Sequence, residues 1–226
     1  ITLNIQCKNK LFIKVIVLGT EMVFFNILEI IDIIAMSLVI GFIFKDMFRA
    51  PKHMGYDPLS HYKYRKSSTS AALKNFFSDD FKFAVMVTAP AVIFHEFGHK
   101  FVALAMGFTA EFHAAYGWLV LGIVMKLISS GFVFFVPAYV SIYGAMHPLQ
   151  HSLIAFAGPL VNLIIFTASW LLLKNKQFAR THKKWIPALH MTKRINLFLF
   201  VFNMIPIPGF DGSKVFGGLL KWIGIL

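Results

Sequence analysis

A chain of 226 residues with 58% hydrophobic and only 14% charged residues lies far from the composition of a water-soluble domain, in which about a quarter of residues are charged. Its formal charge of +12, from 22 Lys and Arg against 10 Asp and Glu, sits in gaps between apolar runs. That distribution argues against a nucleic-acid partner, which needs bases grouped with aromatics on a polar face, and the single cysteine, Cys7, excludes an internal disulfide. The composition predicts an all-α integral membrane bundle of about six transmembrane segments, with a small strand or hairpin element after the second span.

In chain order, residues 1–20 are ambiguous, since LFIKVIVLG at 11–19 fits a strand or the foot of a helix. Met22 to Phe44 reads as the first span, with Glu29 and Asp32 near one membrane surface. Residues 45–80 are polar and carry Arg49, Lys52, Lys63, Arg65, Lys66 and Lys74, so they read as a solvent loop. Phe81 to Phe108 is a second span, closed by Gly107. Tyr116 to Ile128 is apolar but short. The stretch GFVFFVPAYVSIYG at 131–144 is aromatic and β-branched around Pro137, which favours strands or a bent hairpin. Irregular backbone at membrane depth has to be buried in protein or line a wet cavity. Gln150 to Leu173 is a clear span, and 174–194 is a second basic loop. Ile195 to Ile207 and Ser213 to Leu226 are apolar, separated by a helix-breaking PIPGFDG segment. The positive-inside bias puts both basic loops in the cytoplasm of a multi-pass protein, expected in the cell membrane. Residues 1–80 then hold the N-terminal segment, the first span and a loop, with the first span a candidate gate, and 81–226 form a catalytic membrane core.

The residues that carry chemistry begin with HEFGH at 95–99. Residues four apart on a helix share a face, so His95 and His99 can point imidazole nitrogens at one zinc ion. Glu96 beside them can act as general base on the attacking water and then as proton donor to the leaving amine. A hydrogen-bonded pair of core histidines is the plain alternative, and it leaves Glu96 without a partner. The motif ends an apolar run, where ionisable groups are costly and functional by default. A catalytic zinc needs a third protein ligand. After Glu96 the chain has only two acids, Glu111 and Asp211. Asp211 follows Pro206, Pro208 and Gly209, which open the helix and hold a carboxylate at membrane depth; helix N-capping competes as its role. Asn162, in a later span, suits donation to an oxyanion or to substrate backbone, against the alternative of an interhelical hydrogen bond. His113, His147 and His151 read as interfacial polar residues.

These elements resemble the site-2 protease family of intramembrane zinc metalloproteases. The family signature pairs HExxH on one span with an N-x-x-P-x-P-x-x-D-G segment on a later one, matched by His95, Glu96 and His99 and then by Asn203, Pro206, Pro208, Asp211 and Gly212. A Gly-Pro-x-x-Asn element between them is matched by Gly158, Pro159 and Asn162. The likeness covers roughly residues 81–220, leaves the first 80 unmatched and lacks the PDZ-like insert of some members. It implies that Asp211 completes a site for one zinc ion per chain. It also implies that the substrates are transmembrane segments of other membrane proteins, often already trimmed by a first protease. Two other readings stay open at this stage. One is a different membrane zinc metalloprotease with a Glu third ligand, for which only Glu111 is available. The other is a non-enzymatic metal-binding transport or scaffold protein, against which stands the absence of internal repeats.

Overall fold

The computed structural model describes residues 3–4, 12–17, 20–48, 78–128 and 136–225, those before Phe25 by their backbone. The expected solvent loop is therefore seen only at its two ends, and residues 131–135 of the expected hairpin also lie outside the described residues.

Strands β1 (Leu3–Asn4), β2 (Phe12–Val17) and β3 (Thr20–Asn26) form an antiparallel sheet in that order. Residues 12–17 of the ambiguous 11–19 segment are thus strand, and residues 22–26, expected to open the first span, end β3 instead. Phe12 pairs with Asn26 across the ladder, so the helix cannot begin earlier. Helix α1 (Ile27–Phe44) starts where the Asn26 side chain accepts a hydrogen bond from the Leu28 amide. Its buried face carries Met36, Ile40 and Ile43, spaced four and three apart as one helical stripe. Ile31, Ile34 and Leu38 are exposed, as in a helix whose outer face meets lipid.

Helix α2 (Asp79–Ala105) is capped by Ser78, with Asp79 and Asp80 in the first turn, where the helix dipole favours negative charge. It is the central element and contacts α1, β4 and β5 as well as the later helices described below. β4 (Thr109–Ala114) and β5 (Ala138–Tyr143) make a two-stranded antiparallel sheet, with Phe112 opposite Val140. This is the strand element expected after the second span. Ala110, Phe112 and Ala114 of β4 are buried, while Glu111 and His113 face outward. Between the strands lies α3 (Tyr116–Leu127).

Two acids of α1 hold β4 in place. Glu29 accepts from the Phe112 amide at 3.2 Å, and Asp32 accepts from the Ala114 amide at 3.1 Å and from the Tyr116 hydroxyl at 2.5 Å. Glu29 also pairs with Lys100, which is fully buried on α2 with its ammonium over the Phe25 ring. Glu29 is therefore a buried clamp that joins α1, α2 and β4. Met36 and Ile40 complete the adjoining core with Phe112, Ala114, Leu119 and Ala138.

Helix α4 (Pro148–Lys174) opens on a capping box between His147 and Gln150, with Pro148 in the first turn. The expected basic loop 174–194 is largely helical. Asn175 caps α5 (Lys176–Thr181), a 3₁₀ turn covers Lys183–Trp185, and α6 (Ile186–Asn203) begins well before the apolar run at 195. Hydropathy marks where a helix is apolar, not where it starts, and Lys, Arg and Gln are good helix formers. After a break, α7 (Asp211–Trp222) is the last described helix.

Among the described residues three helices are long and apolar enough to cross a membrane, α1, α2 and α4. The full six expected are not shown: α3 and α7 have 12 residues each, and the first half of α6 carries Lys193 and Arg194.

Candidate metal centre

His95 and His99 stand one turn apart on α2, their rings nearly perpendicular with centroids 4.8 Å apart. Their Nε2 atoms lie 3.2 Å from each other, and Asp211 Oδ2 lies 3.1 Å from the first and 3.2 Å from the second. Both histidines are buried, and the Asp211 side chain is 13% exposed. Among the described residues this is the one group of three His, Cys, Asp or Glu side chains arranged to hold a metal ion.

The outer ring nitrogens decide what the inner ones can do. His99 Nδ1 lies 2.8 Å from the Ile154 carbonyl, which can only accept, so Nδ1 carries the proton. His95 Nδ1 lies 2.5 Å from Asn162 Oδ1 and donates in the same way. Both Nε2 atoms of the neutral rings then present lone pairs toward each other and toward a carboxylate oxygen. Three acceptors in mutual contact suit a cation between them. A tetrahedral zinc with bonds of about 2.0–2.1 Å separates its donors by roughly 3.3 Å, close to the triangle here. The donor set of two imidazoles and one carboxylate fits zinc and leaves a fourth position for chemistry.

Small residues let the backbone come this close. On α4, a Cβ added at Gly158 falls against His99 Nε2 and 2.9 Å from His95 Cε1. On α2, a Cβ added at Gly98 falls 2.7 Å from the Ala157 carbonyl oxygen. The two long helices therefore pack glycine to backbone at the level of the histidines. Asp211 is brought in by the α6–α7 break. Asn203 ends α6, Pro206 and Pro208 are exposed in the break, and Gly209 has φ +102°, a conformation that suits glycine. A Cβ on Gly212 meets the Met204 and Ile205 carbonyls, so only glycine lets the chain double back here. The N-cap residue of α7 is Phe210, and no side chain caps the helix; Asp211 occupies the first turn and turns its carboxylate to the histidines.

Glu96 is buried and lines the same cleft as His95, His99 and Asp211. That cleft, about 770 Å³, is otherwise mostly apolar and is bounded by Ile40 and Phe44 of α1, Val140 of β5 and Phe198 of α6. Asn203 and His151 also line it, while His147 serves as the α4 cap. Glu111, the other acid considered as a third ligand, sits on the outer face of β4 with its side chain 53% exposed and 3.7 Å from His113. Asn162 is fully buried behind His95, with both amide hydrogens donated inside the bundle, to the Ala91 carbonyl and to Asn196 Oδ1. These bonds tie α4 to α2 and α6. Sequence reasoning missed Asn196, Lys100, and the Ile154 carbonyl. A polar residue within an apolar run was the available signal for Asn196.

No known family profile matches the chain, and no solved structure does. One curated protein from the archaeon Methanocaldococcus jannaschii, provisionally named a zinc metalloprotease, is 40% identical over 144 residues. The match takes in 63% of this chain and 71% of the relative. At that identity and coverage, this chain belongs to the same zinc metalloprotease family.

Proposed function

We propose that this chain is a zinc-dependent endopeptidase that hydrolyses peptide bonds in or near transmembrane segments of other membrane proteins. The observation that carries this reading is the acceptor triangle of His95, His99 and Asp211 opening, beside Glu96, into an apolar cleft between membrane-length helices. The outward position of Glu111 weighs against a Glu-ligated site.

When bound, zinc polarises the scissile carbonyl and lowers the pKa of water. The rest is done by side chains. His95, His99 and Asp211 hold the ion, with the two imidazoles fixed in the correct tautomer by Asn162 and the Ile154 carbonyl. Glu96 takes the proton of the attacking water and delivers it to the leaving amide nitrogen. One water is consumed, the C–N bond breaks, and a carboxylate and an amine result.

A substrate helix hides its own amides, so the scissile segment has to be drawn out as an extended chain. Among the described residues β5 pairs only with β4, and residues 136–140 line the cleft. That free edge suits capture of the unwound segment by strand addition. The opposite edge, on β4, is closed by Glu29 and Asp32. Entry between α1 and α6, whose side chains face each other across the cleft, suits a membrane-embedded substrate. The basic segments at 45–80 and 174–194 fit the cytoplasmic side.

The test is Glu96→Gln. It keeps zinc and fold and lowers cleavage by at least about 10²-fold, the lower end of what a positioned acid–base contributes. Turnover near that of the wild type eliminates Glu96 as the proton carrier.

A further inference from the structure

Asn196 lies on α6, about two turns before the motif residue Asn203, and is fully buried. Its surroundings fix the direction of a hydrogen-bond chain that runs to the metal site. The chain can be read from its two backbone ends, because a peptide carbonyl only accepts. At one end, the Thr192 carbonyl receives a bond of 2.8 Å from the Asn196 side chain, so that atom is Nδ2. The other amide atom of Asn196 is then Oδ1, which faces Asn162 at 2.8 Å. At the second end, the Ala91 carbonyl receives a bond of 3.1 Å from Asn162, which again has to be Nδ2. Both hydrogens of the Asn162 amide are thus used, one on Ala91 and one on Asn196. Its Oδ1 is left to face His95 Nδ1, which has to donate. The His95 lone pair is thereby confined to Nε2, the atom turned to His99 and Asp211.

A flipped Asn162 breaks the chain at three points at once. Its oxygen would meet the Ala91 carbonyl and Asn196 Oδ1, acceptor against acceptor, and its NH2 would force the His95 proton onto Nε2. Without Asn196, one of these penalties disappears and the flipped form gains ground. We infer that Asn196 is a positioning residue: from α6 it locks the Asn162 amide, and through it the metal-binding tautomer of His95. This rests on the zinc-site reading above. The bonds involved span three helices, α6 to α4 to α2, so α6 contributes to metal affinity without supplying a ligand.

The experiment is chelator competition on purified zinc-loaded protein, for wild type, Asn196→Leu, Asn196→Asp, Asn162→Leu and the double Leu variant. Leu keeps the branched shape of Asn196 and removes its acceptor. Asp keeps an acceptor toward Asn162 and, as the neutral acid, a donor toward Thr192. The expected result is zinc binding weakened about 10- to 100-fold in Asn196→Leu, the range typical when a ligand's outer partner is lost. Affinity returns to near the wild-type value in Asn196→Asp, and the double variant is no weaker than Asn162→Leu alone. Cobalt-substituted Asn196→Leu also shows an altered visible absorption spectrum, which a change of packing remote from the ligands does not produce. Wild-type affinity in Asn196→Leu overturns the inference, as do equal losses in the Leu and Asp variants or additive losses in the double. Should Asn196→Leu fail to fold, Asn196→Ala removes the same acceptor and is read by the same criteria. A wild-type protein that holds no zinc refutes the metal-site reading itself, a different outcome from any of these.

Discussion

Adding one methyl group at Gly158 puts the close approach of α2 and α4 to its most demanding test. The Cβ of Gly158→Ala arrives 2.9 Å from His95 Cε1 and closer still to His99 Nε2, where carbon atoms normally sit about 3.5–4.0 Å from their neighbours. Neither ring can retreat freely. His95 is tied to Asn162 and His99 to the Ile154 carbonyl, and Gly98 already lies against the Ala157 backbone. Relief has to come from shifting the ligands by several tenths of an ångström or from separating the helices. Overpacking of this kind costs about 1–3 kcal/mol. Expressed at the metal site, that is roughly 5- to 150-fold in zinc affinity, at 1.4 kcal/mol for each factor of ten. Chelator competition measures it, with hydrolysis of a short soluble peptide as a second readout. Gly217→Ala is the control, since a Cβ there meets nothing within 4 Å; it leaves both readouts unchanged and, in a helix interior, adds about 0.5–1 kcal/mol of stability. Unchanged zinc affinity and turnover in Gly158→Ala would refute the tight α2–α4 contact as the frame of the site.

Glu29→Ala strands the fully buried Lys100 ammonium and frees the Phe112 amide, so it lowers stability by about 3–5 kcal/mol; thermal unfolding in detergent measures this. The double variant Glu29→Leu with Lys100→Met recovers much of the loss, and equal destabilisation of single and double variants counts against the clamp. A crosslink between cysteines at Phe48 and Met191, which pack in one cluster, with Cys7 replaced, pins the end of α1 to α6. It blocks cleavage of a membrane-embedded substrate and spares a short soluble peptide. Survival of both activities places substrate entry elsewhere.

HEFGH pointed to His95 and His99 as a pair because helical spacing alone puts them on one face, and the structure brings their Nε2 atoms to 3.2 Å. Asp211 was reachable because the chain has so few acids after Glu96 that the third ligand had two candidates. The strand at 138–143 was visible in its aromatic and β-branched residues. What could not be read depended on partners distant in the chain. Lys100 looks like any lysine following a motif until Glu29, 71 residues away, is seen beside it. Asn162 resembles a free donor in the sequence, and only the Ala91 carbonyl and Asn196 reveal that its amide is already committed. Of the six spans expected, three helices among the described residues are long and apolar enough to cross a membrane, and α7 is amphipathic and short. The basic 174–194 segment hid helical structure because its charges mimic a loop.

Metal content in purified protein, wild type against Asp211→Ala and Glu111→Ala, decides whether His95, His99 and Asp211 form a zinc site. One zinc per wild-type chain is expected, retained in Glu111→Ala and lost from Asp211→Ala, because Asp211 Oδ2 closes the triangle with His95 and His99 while Glu111 points away on β4. A wild-type protein free of zinc, or an Asp211→Ala variant that keeps its full complement, would contradict it.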